Sequence, residues 1–478
     1  MKIYKTLFMG EDKVYQLHGI TEQNIRESYT GGAVDVYIPH NAYLINGNVE
    51  YETLYCYDVN GLYPTVMANK SMPIGKPVVF EGDITKARCE AHFNPFGYFY
   101  AKITSPPYLE HPILQQRIKT SEGIRTIAGL GTWFGWIYSE EMYNAIKFGY
   151  QFKILKGYLF NKGILFNEFI NKLYKLRMEY PKGTPMNQSA KLLQNSLYGK
   201  FGMKDIITIM QILENITPED KDNINSILDI YSSNIIDIID LENHTLLIRK
   251  SENNLNYNKI DDYYHGSEVN VAIASAITAE ARIFMSQFKN DPNFKLYYSD
   301  TDSIFTNKPL PESMVGTALG QLKLEYTIKK AVFLAPKVYA LITEDGKEII
   351  KVKGLTNELI SKLTFSDLEA LLAKDSSKEF TQEKWFKSVI KGEITTNDMI
   401  YTLKSTSNKR MHIYENGIFN NTKPYNYDDI INPYAAGSDD VSDVHSTVDD
   451  VSFNLRDVAF YGSVVFFSFL FYNGPYQI

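Results

Sequence analysis

The chain has 478 residues, 44% of them hydrophobic, enough to bury one large multi-lobed core or two to three packed domains without covalent staples. Its two cysteines, Cys56 and Cys89, lack zinc or redox spacing, which excludes a disulfide scaffold and points to a reducing compartment. The net charge of −7 resides in 428–457, where eight aspartates face Arg456 alone, so the remainder is neutral overall and basic surface is local, as in the lysine-rich stretch 323–353.

The first residues, MKIYKTLFMGEDKVYQLHG, lack both a signal-peptide core and an Arg/Ser-rich transit pattern. The segment 51–59 (YETLYCYDV) reads as a strand ending at Asn60-Gly61. Apolar spacing predicts helices over 168–178 and 187–201. The Ile/Asn/Asp-rich stretch 206–262 is predicted to be an insertion with amphipathic helical patterning. An Ala-rich buried helix is expected over 267–288, and KLYYSDTDSIF (295–305) reads as a hairpin around a polar centre. Strands follow within 320–343, and 356–391 alternates charged and apolar residues at helical spacing. After 425 the chain turns to Asp, Ser, Val and Asn, as in a poorly ordered tail. The apolar run 458–472 contains Gly462 and is short for a membrane span, so no membrane partner is expected.

Three aspartates stand out. Asp58 lies at a strand end, and Asp300 and Asp302 flank Thr301 in the hairpin. An acidic strand end beside an acidic hairpin is one way to hold two divalent cations roughly 4 Å apart for phosphoryl transfer. Mg²⁺ suits such a site, because it takes one or two carboxylates plus substrate phosphates, with Mn²⁺ as the alternative ion. A D-x-D at a hairpin is also an ordinary turn, so the pair gains weight only from what lies between. In KLLQNSLYGKFG (191–202), Lys191, Asn195 and Tyr198 share about 60° of one helix face, while Leu192, Leu193 and Leu197 are expected to point to a core. A cation, an amide and an aromatic ring on one face, with Gly199 beside them, match a nucleoside triphosphate. A merely solvated face ending at Gly199 or Gly202 is the plainer alternative.

The segments DVNGLYPTVM (58–67), KLLQNSLYGKFGM (191–203) and YYSDTDSIF (297–305) resemble, in order, motifs A, B and C of family B DNA polymerases. APKVYAL (335–341) resembles that family's lysine-x-tyrosine motif, and SYTGGAVDVY (28–37) its tyrosine-x-glycine-glycine motif. GTWFGWIYSEEM (131–142) and VNVAIASAITAEARIFM (269–285) are similar to the protein-primed subgroup of linear plasmids and fungal mitochondrial elements.

The resemblance implies an α+β right-hand fold with an antiparallel palm sheet and helical fingers and thumb. Its expected parts are an N-terminal remnant (1–54), palm with a priming-protein-contact insertion (55–160), fingers (161–205), the Ile/Asn-rich insertion (206–265), palm (266–351), thumb (352–424) and tail (425–478). It implies two-metal nucleotidyl transfer with Asp58, Asp302 and the Val59 carbonyl as metal ligands and Asp300 more peripheral. Tyr63 would exclude a ribose 2′-hydroxyl. Lys191, with Arg177 or Lys182, would hold the dNTP triphosphate, and Asn195 and Tyr198 would shape its pocket. Lys337 and Tyr339 would hold the primer end, and Tyr29, Gly31, Gly32 and Thr301 would contact DNA. The implied partners are template-primer DNA, dNTPs and a terminal priming protein. The implied setting is a mitochondrion, or a cytoplasmic plasmid as the alternative, and Ile/Asn/Lys/Tyr-rich usage suggests an AT-rich source. No acidic nuclease triplet appears in 1–54, so proofreading is expected to be absent. The alternatives are a truncated relic that only binds nucleic acid, and a different palm polymerase such as a reverse transcriptase.

Overall fold

Seven strands, each antiparallel to its neighbours, form the central sheet of this computed structural model. Their order is Val34–Val36, Leu296–Asp300, Ser303–Thr306, Leu54–Val59, Leu322–Ala335, Val338–Thr343 and Glu348–Val352. The structure describes Tyr4, residues 14–84, 94–120, 123–203, 207–213, 235–240, 246–252, 270–388, 393–427 and Asp429, all within the unit 1–433. Alternation along the strands sends one set of side chains into each of two cores. Tyr57 and Ile304 join the core around the Ala-rich helix. Cys56, Tyr298, Phe305 and Phe333 join the other, where Tyr298 stacks on Phe333 at 5.0 Å.

The Ala-rich helix spans Val271–Ser286, nearly all of it buried, and Asn270 caps it by accepting from the Ala272 and Ile273 amides at 3.0 and 3.3 Å. Small side chains let it lie close against the helices Gly19–Ser28, Leu62–Asn69, Ser139–Lys147 and Pro185–Phe201. Pro185–Phe201 forms a hairpin with Asn167–Glu179. A second sheet of four strands, in the order Met72–Glu81, Gln151–Gly163, Gly97–Thr104 and Thr132–Tyr138, carries a third core of its own.

Four expectations change. The described parts of 206–262 are strands, Ile207–Leu213, Ile235–Asp240 and Leu246–Glu252, in one three-stranded sheet; β-branched isoleucines are stiff at χ1 and favour that conformation. Within 356–391, helices are confined to Asn357–Ile360 and Phe365–Ala370, and Lys378–Ser388 is a strand paired with Glu393–Leu403. Leu192 and Leu193 are 52% and 36% exposed; the buried side of their helix is Ala190, Gln194, Leu197 and Phe201. Gln194 can be buried because its amide donates to the Ile170 carbonyl and accepts from Arg177. The fold also continues past 425. Tyr427 is fully buried, donates to the Ile127 carbonyl at 3.0 Å and meets the Trp133 ring at 4.7 Å. Cys89 and 430–478, including the apolar run 458–472, lie outside the described residues. No helix among the described residues is long and apolar enough to cross a membrane.

A β-carbon on Gly97 would stand 1.9 Å from the Tyr158 carbonyl oxygen of the neighbouring strand. Gly97→Ala is therefore expected to destabilise the fold by about 3 kcal/mol or more, read from a urea midpoint, because backbone rather than a movable side chain must yield.

Candidate active site

The central sheet sets the geometry of the carboxylates. Strand register puts Ser303 opposite Asp58, and the Val59 amide donates to the Asp302 carbonyl at 2.9 Å. The turn between the hairpin strands holds Thr301 at φ 60°, tied by its amide to the Ala33 carbonyl at 2.8 Å. That left-handed conformation is unfavourable for a β-branched residue and persists because both strands over-determine it. A β-carbon on Gly32 would come within 2.6 Å of the Thr301 methyl, so only glycine lets the 29–32 loop press on this turn.

Asp58 and Asp302 are half-buried and form no ion pair among the described residues. Burial, with Asp302 and Glu325 adding their charge, raises Asp58 from 3.8 to about 7. Burial likewise raises Asp302 to about 6; its own backbone amide, Lys337 and Lys191 oppose the rise and Asp300 adds to it. Asp300 is in a different state. The Lys337 ammonium donates to both of its oxygens at 2.6 and 2.8 Å, and the Thr301 hydroxyl donates to it at 3.2 Å. The two carboxylates left without a cation are thus Asp58 and Asp302. Lys337 itself sits at φ 64°, and Tyr339 packs its ring against Tyr298 and Phe305.

Above the carboxylates, Tyr63 lies in the helix Leu62–Asn69 and stacks on Tyr198, ring centroids 4.4 Å apart. Asp302 is among the charges that raise both phenols, and Lys191 is close enough to lower Asp58 and Asp302. Lys191 and Asn195 are exposed on the same helix face as half-buried Tyr198. Arg177 donates to Gln194 at 2.9 Å and keeps its buried Nε without an acceptor, whereas Lys182 is exposed in the turn before the helix.

Tyr29 packs against the end of the Lys191 helix, where a β-carbon on Gly202 would meet its ring at 2.6 Å. Side chains absent from the sequence reading hold this loop. Arg282, buried in the Ala-rich helix, donates to the Thr30 and Gly31 carbonyls at 2.7 and 3.0 Å while paired in a fork with Glu141 at 2.7 and 2.9 Å. Arg117 donates to the Tyr29 carbonyl, and Gln115 to that of Gly31. Glu325, beside Asp58, is a further acid that sequence reasoning missed. The available signal for Arg282 was a lone cation, next to Glu280, in an otherwise apolar helix.

A family profile described as DNA polymerase type B, organellar and viral, matches residues 1–293. Proteins named "Probable DNA polymerase" from Ascobolus immersus and Podospora anserina are similar to it. The first is 35% identical over 88% of this chain and 33% of its own length, the second 32% over 89% and 36%. The chain therefore spans about a third of these fungal relatives. A DNA polymerase of Bacillus phage phi29 is 24% identical over 84% of the chain and 64% of its own length. The solved structure of Phi29 DNA polymerase with primer-template DNA and incoming nucleotide superposes with a TM-score of 0.55 at 20% identity, covering 84% of this chain and 65% of that one. The α+β fold is thus of the Phi29 polymerase type.

The raised carboxylates make stability fall with pH. Folded Asp58 and Asp302 bind protons up to about 7 and 6, above the 3.8 of an unperturbed aspartate, so the metal-free protein loses stability as pH rises from about 4 to about 7. Asp302→Asn removes the repulsion. In EDTA its Tm is expected to fall less over that range than the wild type's and to exceed it at pH 8; parallel profiles would refute the coupling.

Proposed function

The chain belongs to the organellar and viral type B DNA polymerases, and on that premise we propose that it adds deoxynucleotides to a primer 3′-hydroxyl on a DNA template. The observation that carries this reading is the pair Asp58 and Asp302, half-buried, without cations of their own, and overlooked by Lys191 and the Tyr63–Tyr198 stack.

Among the described residues no group of three or more His, Cys, Asp or Glu side chains is arranged around a metal. Two raised carboxylates with the Val59 carbonyl nevertheless suit Mg²⁺, which fills its remaining positions with water and substrate phosphates. Two such ions, when bound, lower the pKa of the attacking hydroxyl and stabilise charge on the attacking and leaving oxygens. In this reading Asp300 is not a ligand, since Lys337 holds it.

The other roles concern binding and orientation. Lys191 holds the triphosphate, and the orphaned Nε favours Arg177 over Lys182 as its second cation. Asn195 and the Tyr198 ring shape the pocket for the nascent base pair. Tyr63, fixed by its stack on Tyr198, stands where a ribose 2′-hydroxyl would collide. Lys337 and Tyr339 steady the primer end, and the loop bearing Tyr29, Gly31 and Gly32, resting on Thr301, guides the template. The seven-stranded sheet is then the palm, 161–205 the fingers, and 352–424 the thumb. Residues 75–150 are the surface for a terminal priming protein whose Ser, Thr or Tyr hydroxyl replaces the first 3′-hydroxyl. Enrichment in residues encoded by AT-rich codons (Ile, Asn, Lys, Tyr, Phe) and the fungal relatives support a linear plasmid or mitochondrial element as the replicated DNA.

Primer extension with Mg²⁺ and four dNTPs tests the reading. Asp302→Asn is expected to lose at least about a thousand-fold in rate while still binding primer-template, since it removes a metal ligand and no phosphate contact. Extension undiminished in that variant would sink the assignment, and a folded wild type that binds DNA without extending it would favour the relic. Tyr63→Val is expected to admit ribonucleotides, measured as the ratio of rNTP to dNTP incorporation; an unchanged ratio would place sugar selection elsewhere.

A further inference from the structure

The four-stranded sheet turns one face to its own core, filled by Phe99, Ala101, Ile103, Trp133 and Ile154. Alternation therefore sends Tyr100, Lys102, Phe134 and Trp136 to the opposite face. A bulge at Leu155 inserts one residue between Ile154 and Lys156, which puts Lys153 and Lys156 on that face together. Two rows result across three strands. In one, Lys153 stands opposite Lys102 and Lys102 opposite Phe134; in the other, Lys156 stands opposite Tyr100 and Tyr100 opposite Trp136. The rings form a continuous tier. Phe134 stacks on Tyr100 at 6.4 Å, Tyr100 meets Trp136 at 5.5 Å, and Trp136 stacks on Tyr158 at 5.1 Å. The Lys156 ammonium lies over the Tyr100 ring at 5.6 Å. Phe134 is 51% exposed, the three lysines are exposed, and Tyr100 and Trp136 are half-buried.

As bare structure this face is unfavourable. Lysines directly opposite each other on neighbouring strands repel, and Lys102 and Lys153 have no hydrogen-bond or ion-pair acceptor among the described residues. Two acids stand at the Lys156 end, Glu81 opposite it on the adjoining strand and Glu27 on the helix Gly19–Ser28. Exposed rings beside unpaired lysines suit a ligand with flat faces and regularly spaced negative charge, which is single-stranded nucleic acid. A protein partner fits less well, because lysine is depleted from the core of such interfaces. The helix Gly19–Ser28 packs on the inner end of the face, where the Asn24 amide donates to the Tyr158 hydroxyl at 2.8 Å. Tyr29 follows that helix directly, about 8 Å along its axis from Asn24.

We propose that this sheet face binds the unpaired template strand ahead of the catalytic site, with bases stacked on Phe134 and Tyr100 and phosphates held by Lys102 and Lys153. The inference rests on the polymerase reading of the Asp58–Asp302 site. The template is the strand concerned because the helix lying on the face leads straight into the Tyr29 loop, the template guide of that reading. Trp136, fixed between Tyr100 and Tyr158, backs the two outer rings and keeps them in place. The hairpin of Gln116–Thr120 and Gly123–Ile127 is then what remains for the priming protein within 75–150.

The test is fluorescence anisotropy on the full chain, with primer-templates whose template overhang is about 2 or about 12 nucleotides, the longer lying inside the roughly 4–16 that such surfaces take. The wild type should bind the longer overhang at least about tenfold more tightly. Y100A/F134A should lose that advantage with its salt slope intact, since stacking is not electrostatic, and should bind the short overhang as the wild type does. On the longer overhang K102A/K153A should lower the log–log salt slope by about 1.4, at about 0.7 per phosphate of a single strand, and K102R/K153R should keep it. An abasic overhang should weaken the wild type as far as Y100A/F134A and cost that variant nothing more. Equal wild-type affinity for both overhangs, or an advantage undiminished in Y100A/F134A, overturns the proposal and leaves the face to the priming protein. An advantage produced by a 5′ flap on a downstream strand, and not by the template overhang, overturns it in favour of the displaced strand. Wild-type extension from the short overhang alongside either result defeats this inference alone. A wild type that neither binds nor extends either substrate defeats the polymerase reading with it.

Discussion

Asp58 and Asp302 repel each other, and the central sheet holds them together against that repulsion. The opposing strands fix Asp58 against Ser303, and the Val59 amide clamps the Asp302 carbonyl. The force that maintains this arrangement comes from both faces of the sheet: the Tyr298, Phe305 and Phe333 rings on one side and the Ala-rich helix packed over the other. Removing either support would let the carboxylates separate and lower their proton affinity. Strain at Thr301 and the missing side chain at Gly32 belong to the same constraint, since the turn bearing Asp302 has room for nothing larger.

Charge around this pair is sorted. Asp300 is neutralised by Lys337 and Glu141 by Arg282, while Asp58 and Asp302 are left open beneath Lys191. The Glu141–Arg282 pair has a structural task, because its guanidinium fastens the loop carrying Tyr29 and Gly31. That loop touches the end of the Lys191 helix through Gly202 and the carboxylate turn through Gly32. The elements expected to meet nucleotide, template and metal are therefore mechanically joined. A chain spanning about a third of its fungal relatives still contains this whole arrangement.

Legibility in the sequence followed the range of the interaction. The hairpin at 295–305, the strand ending at Asp58 and the helix pair before 201 were readable because alternation and helical spacing are local. Leu192 and Leu193 misled because hydrophobicity does not decide which side of a helix meets a core; buried Gln194 occupies the place they seemed to claim. The 206–262 stretch misled because isoleucine-rich runs satisfy helical spacing as readily as a strand pattern. Arg282 left only the trace of a charge in an apolar helix, since its acceptors lie about 250 residues away in the chain.

By itself the sequence determined which chemical groups exist and their order: the aspartates at a strand end and a hairpin, a cation, amide and ring on one helix face, and the family to which such an order belongs. Tertiary structure alone decided their states. It left Asp302 open and closed Asp300 with Lys337, although the two aspartates are separated only by Thr301. Local periodicity specifies which way a side chain points, but a carboxylate's proton affinity depends on burial and on charges that arrive from distant parts of the chain.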